Sequence, residues 1–224
     1  MLIVPAKRMW PAGGSIAPSG TYAITGATSA LPRLAAMRAA SARARTLCLP
    51  SAMCGPLCSV PPTGTISIPE SAFEATLEGA ARSFRQAGFR DIVLIGDHGG
   101  YQASLVKVAA RLDREWAKQA SPVRVHAIEE YYRAAERDFA QALRQQGFSE
   151  AEIGTHAGAA DTSLSLAVDE QLVRASLLHD GSALGPANGV HGDPRRASAA
   201  AGKAGIDLIV ARTRDAIQRE VARR

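Results

Sequence analysis

No aspartate, glutamate or histidine occurs among the first 69 residues of this 224-residue chain, although Lys7, Arg8, Arg33, Arg38, Arg43 and Arg45 do. That absence relocates the net charge of +5, because residues 70–224 hold 20 basic against 21 acidic residues. A basic surface recruits phosphates, but here the basicity belongs to one segment, and a nucleic-acid partner is not expected of the nearly neutral remainder. Long apolar runs are missing too. Nothing approaches the roughly 18 consecutive apolar residues of a membrane span, so no membrane partner is expected. The start MLIVPAKRMW lacks the charged-then-apolar layout of a secretory signal, so a cytoplasmic protein is expected. Cysteine is scarce: Cys48, Cys54 and Cys58 are odd in number, and no His or carboxylate flanks them. They support neither a disulfide framework nor a four-ligand zinc site.

What is present divides at about residue 60. Eight of the twelve prolines fall in residues 1–62, among many Ala, Ser, Gly and Arg. Residues 1–60 therefore read as a poorly ordered basic segment, locally helical at most around Leu31 to Arg45. An organellar leader and an out-of-frame reading of a GC-rich gene share that composition. Residues 61–224 read as one domain. Thr65 to Ile68 alternates as a strand, and Pro69 and Glu70 open a helix that ends at Gly88. Ile92 to Ile95 is a buried strand, Tyr101 to Lys118 a helix and Pro122 to Ile128 a strand. Glu129 to Gln146 reads as a surface helix and Thr162 to Val173 as another. A Gly/Pro-rich loop follows from Gly181 to Pro194, and then a C-terminal helix from Ser198, interrupted near Gly205. Alternating strands and helices imply an α/β layered fold with a mostly parallel sheet.

Three segments carry chemistry. Gly96-Asp97-His98-Gly99-Gly100 puts a histidine just past the carboxyl end of a buried strand, the edge where open α/β sheets keep ligands. His98 is either a ligand there or the cap of a Gly-rich turn. His156-Ala157-Gly158-Ala159-Ala160-Asp161 delivers an imidazole and a carboxylate before an apolar helix. They suit a metal ion or acid/base work, while Asp161 equally suits a helix N-cap. Gly189-Val190-His191-Gly192-Asp193-Pro194-Arg195-Arg196 is a tight loop whose arginines could meet an anion but are more simply solvated. The phosphate-loop and dinucleotide glycine patterns are both absent.

In this order the three segments resemble the creatininase family, over about Pro61 to Val221. The family shows a Gly-His-Gly-Gly turn after a strand, a His-Ala-Gly-x-x-Glu-Thr-Ser segment and a Gly-Val-x-Gly-Asp-Pro loop. The resemblance implies a three-layer α/β/α sandwich, a homo-oligomer that is often hexameric, and one or two divalent ions such as Zn²⁺ or Mn²⁺. It implies hydrolysis of a C–N bond in a small amide or cyclic amide by a metal-activated water. His98 and Asp161 would be metal ligands, and His156 the catalytic residue assisting proton transfer.

This chain also departs from the family pattern. Asp97 replaces a Gly and Gly96 an Asn, and Asp161 is one methylene shorter than the family's Glu. The family's upstream Glu-x-His-Gly segment has no counterpart in residues 1–69. Two protein ligands are fewer than the three a catalytic zinc normally takes. The second expectation is therefore a family member, or an out-of-frame product, that keeps the fold without a complete metal site.

Overall fold

The structure is a computed structural model that describes residues 2–6, 47–48, 68–178 and 184–223. The expected helix around Leu31 to Arg45, the strand residues Thr65 to Ser67, and Cys54 and Cys58 lie outside the described residues. The described chain falls into two compact units, one running to Tyr132 and joined by residues 215–223, the other comprising residues 133–214.

In the first unit, strands β1 (Leu2–Ala6), β2 (Leu47–Cys48), β3 (Asp91–Ile95) and β4 (Arg124–Ala127) form a sheet in the order β2-β1-β3-β4. The parallel part of the expected sheet is the β3–β4 pair, in which Ile92 faces Val125 and Leu94 faces Ala127. β1 pairs antiparallel with both β2 and β3. The β1 pairing was not foreseen, because five residues interrupted by Pro5 give no clear period.

Helices α1 (Glu70–Gln86) and α2 (Gln102–Lys118) flank these strands in sequence. Phe73, Leu77 and Ala81 recur at helical spacing on α1, and Leu105, Val108, Leu112 and Trp116 on α2; all join the buried core with Ile92, Leu94 and Val125. Each fully buried Leu or Ile contributes on the order of 1.5–3 kcal/mol. All five residues of β3 are buried, as a strand covered on both faces requires. Ion pairs tie α1 to α2 on the surface, with Arg82 reaching Glu115 and Lys107 reaching Glu74 at 2.8 Å.

In the second unit the expected surface helix is interrupted. Glu130–Arg133 (α3, which starts in the first unit) passes into a π-turn at Ala134–Phe139 and resumes as α4 (Ala140–Gln145). The wider π spiral lets Ala134 and Phe139, five apart, both be buried. Next come α5 (Glu150–Ile153), opened by a Ser149/Glu152 capping box, and α6 (Ala159–Val168). α6 starts three residues before its expected start and stops early. Asp169 leaves the helix, and its side chain instead accepts the Gln171 N–H at 2.9 Å. After α7 (Ala175–Leu178), α8 runs unbroken over Ala199–Ala222, contrary to the expected interruption at Gly205. That glycine is a packing residue: a Cβ there would lie 2.6 Å from the Phe139 ring.

Candidate functional site

The first unit presents His98 beyond β3. The turn leaves the strand at Gly96, and Gly99–Tyr101 forms a single 3₁₀ turn ahead of α2. Two side chains hold it. Gln102 donates through Nε2 to the Gly96 and His98 carbonyls at 3.0 and 3.1 Å. Tyr101, 2% exposed, donates its hydroxyl to Asp97 Oδ1 and accepts the Asp97 N–H at 3.0 Å. Burial and the Asp97 charge push the Tyr101 phenol far above its usual range, so it remains a donor. The His98 and Tyr101 rings lie 5.5 Å apart. His98 Nδ1 accepts the Gly100 N–H at 2.9 Å. An N–H can donate only to an unprotonated ring nitrogen, so neutral His98 carries its own proton on Nε2.

The second unit joins the other two motifs. Thr155 donates its N–H to His191 O and His191 donates its N–H to His156 O, each at 2.8 Å, forming an antiparallel bridge between His156 and His191. Only glycine permits this crossing. A Cβ on Gly192 would fall 2.7 Å from the Gly158 Cα and 2.8 Å from the Gly154 Cα. The crossing leaves the two imidazoles exposed, with ring centroids 5.8 Å apart and planes at 75°. Ala157, between His156 and Gly158, is held at φ +51°, an uncommon conformation for a residue with a side chain.

Asp161 lies in the first turn of α6, whose N-cap is Gly158, and its Oδ2 accepts the Ala157 N–H at 3.0 Å. It is not the N-cap, and its bond reaches back to the loop before the helix. Glu136, in the π-turn, has its pKa raised by burial first and then by the Asp161 charge, with His156 acting in the opposite direction. Sequence reasoning did not single it out, and a π-turn has no clear sequence signal.

The arginines of the third motif are structural. Arg195 grips Asp193, and Arg196 bonds Glu152 at 2.8 Å and lies over the Phe148 ring at 4.3 Å. These contacts hold the Asp193 and Glu152 carboxyls down at about 2. The arginine of Arg195 is the main cause for Asp193; for Glu152 the Ser149 N–H comes first and Arg196 second.

The fit to a divalent ion follows from what these donors already do. A metal-bound imidazole needs an unprotonated nitrogen, and His98 spends its own on Gly100. Asp161 is engaged with its own loop. Among the described residues no three His, Cys, Asp or Glu side chains gather closely enough to hold a metal ion. Outside them the sequence offers only His179 and Asp180 of the His, Asp and Glu types. As arranged, the described residues do not fit a three-ligand catalytic ion.

The fold is similar to that of solved creatininases. A structure titled "Creatininase Mn" aligns with a TM-score of 0.56 at 23% identity, over 70% of this chain and 66% of that one. A mutant creatininase of Zn-Zn type gives 0.56 at 23% identity, over 70% of this chain and 67% of that one. A crystal structure of creatinine amidohydrolase (creatininase) gives 0.59 at 22% identity, over 72% and 68%. The chain thus spans just under two thirds of the length of the first of these. None of the curated proteins matches it. The profile of the creatininase family, described as creatinine amidohydrolase, matches residues 14–217. It therefore begins within the stretch that the three motifs leave outside. With a match over most of its length, the chain belongs to the creatininase family.

Proposed function

We propose that this protein is an amidohydrolase of the creatininase kind, opening a C–N bond of a small linear or cyclic amide with a divalent ion as cofactor. The family match over residues 14–217 carries this reading. The three-layer α/β/α arrangement, a homo-oligomeric state and a cytoplasmic location belong to the same reading. No helix among the described residues is long and apolar enough to cross a membrane.

Amide hydrolysis adds water to the carbonyl carbon and must deliver a proton to the departing nitrogen. An imidazole can both take and give a proton near neutral pH. His156 is the residue that the family resemblance offers for that work, and it is exposed, next to Ala157 with its φ of +51°. His98 and Asp161 are the positions that the family resemblance offers to the ion. Both would have to exchange present hydrogen bonds to serve, and no step is derived through them.

The test is hydrolysis of a panel of small amides, including creatinine, by the full chain, as purified and after addition of Mn²⁺ or Zn²⁺. Turnover is expected, and His156→Ala should lower kcat by about 100-fold or more without altering the thermal melt. A second reading is favoured by the acid-free first 69 residues and by the missing three-donor group among the described residues. In it the chain keeps the family fold without a complete metal site. Absence of both turnover and retained metal would select that reading.

A further inference from the structure

We propose that His156 and His191 form a two-nitrogen site for an imidazole-seeking divalent ion, of the Cu²⁺, Ni²⁺ or Zn²⁺ class, on the second unit. Residues facing each other across an antiparallel bridge project their side chains to one side of the ladder. Here both are imidazoles, both are exposed to entering ions, and the backbone bonds at 2.8 Å fix their roots.

Distance supports the pairing. With metal–nitrogen bonds of about 2.0–2.1 Å, each ring centroid lies about 3.2 Å from the ion. Two such rings are then about 5.2 Å apart at a tetrahedral angle and about 6.4 Å apart when opposed. The observed 5.8 Å falls inside that interval. Imidazole is a preferred donor for Zn²⁺, Ni²⁺ and Cu²⁺, with Cu²⁺ bound most strongly. Glu136 lies within electrostatic reach of both Asp161 and His156, so carboxyl groups flank the His156 side of the pair. With no third protein donor assembled, water would fill the remaining positions, so binding should be reversible rather than structural.

This site differs in kind from the ion-holding positions implied at His98 and Asp161, since it uses a residue of the third motif to which the resemblance gives no role. It also has a consequence that rests on the hydrolase reading above. An ion on His156 uses the lone pair that would otherwise take a proton, so occupancy and proton transfer exclude each other, and Cu²⁺, the ion imidazole holds most strongly, should inhibit turnover supported by Mn²⁺.

The binding can be tested whether or not the protein hydrolyses anything. Tag-free full chain, stripped with a chelator, is titrated with Cu²⁺ and followed by calorimetry and electron paramagnetic resonance. One Cu²⁺ per chain is expected at this site, with two nitrogen couplings. His156→Asn and His191→Asn should each remove one coupling and raise Kd by roughly tenfold or more, since losing a ligand costs no less than losing its outer-shell partner. His126→Asn should change neither, because that ring is turned to Asp91 at 3.1 Å. Unchanged Cu²⁺ binding in His191→Asn, a single coupling in the unaltered chain, or loss of the signal in His98→Asn or His179→Asn instead would overturn the proposal. Should His156→Asn not fold, His191→Asn and His191→Phe decide the matter. Hydrolysis without the two-nitrogen signal would leave the hydrolase reading standing and remove this one.

Discussion

Tyr101 shows how a single side chain can set the shape of the turn that carries a proposed functional residue. Its ring packs on Phe73 at 5.1 Å and beside His98, while its buried hydroxyl satisfies both the N–H and the carboxylate of Asp97. Tyr101→Phe keeps both ring contacts and removes only the hydroxyl. Losing a buried bond to a charged partner costs about 1–3 kcal/mol, and a fall of that size in urea-unfolding stability is expected. An unchanged value would mean that water replaces the hydroxyl. Because the phenol is held far above its usual range, it stays a donor through the ordinary tyrosine range. The sequence could single out His98, His156 and Asp161 as candidates because a glycine-rich motif framed each of them. The use of each lone pair was not legible there: that His98 Nδ1 serves Gly100, and that His156 meets His191, depends on backbone geometry and on a contact between residues 35 positions apart. Asp91 and His126 escaped notice for a similar reason, since the register of β3 and β4 brings them together.

At the scale of elements, glycines of similar appearance have opposite meanings. Gly79, inside α1, has open space where a Cβ would stand, so Gly79→Ala should stabilise by about 0.5–1 kcal/mol through lower unfolded-chain entropy and better helix propensity. Gly205, inside α8, meets the Phe139 ring, so Gly205→Ala should destabilise by about 1–3 kcal/mol. Thermal melts of the two variants, shifted in opposite directions, are the expected result. The sequence cannot separate Gly79 from Gly205, which is why an interruption was expected in a helix that has none. Where period and punctuation agreed, as for α1, β3, α2 and β4, the elements lie close to where they were expected. Where a tertiary contact decided, as in the π-turn at Ala134–Phe139 and the stop at Asp169, they do not. The Ser149–Glu152–Arg196 cluster gives this unit a pH dependence of definite sign. Glu152 and Asp193 have carboxyls lowered to about 2 from ordinary values of 4.5 and 3.8. Their contribution is present above the unfolded values and is lost as pH falls from about 4.5 through about 2. Carboxyl-detected NMR titration should find Glu152 titrating in that low range and moving upward in Arg196→Gln. Both groups face water, so salt should weaken the effect.

At the scale of the whole molecule, the question is whether the N-terminal segment is an appendage or part of the fold. Its composition argues for an appendage, yet the backbone of Leu2–Ala6 pairs with every residue of β3, from Leu2 against Ile95 to Ala6 against Asp91. Pro5, which lacks an N–H, falls beyond the reach of β2, which pairs only with Leu2 and Ile3. The missing donor can therefore sit on the unpaired side of the strand. With β1 removed, the N–H and C=O groups of β3 that pair with it lose those partners and are left on an open sheet edge. Each such group left unsatisfied costs about 1–3 kcal/mol. Deleting residues 1–6 should therefore lower the thermal midpoint sharply or leave the protein insoluble, and a deletion of residues 1–60 should do the same. A separable leader would behave differently, with melting temperature and solubility unchanged by either cut. Comparing the two truncations with the full chain by thermal melt and light scattering distinguishes the cases. The shorter cut is the more telling, because it removes β1 while leaving intact residues 14–217, the stretch the family profile covers.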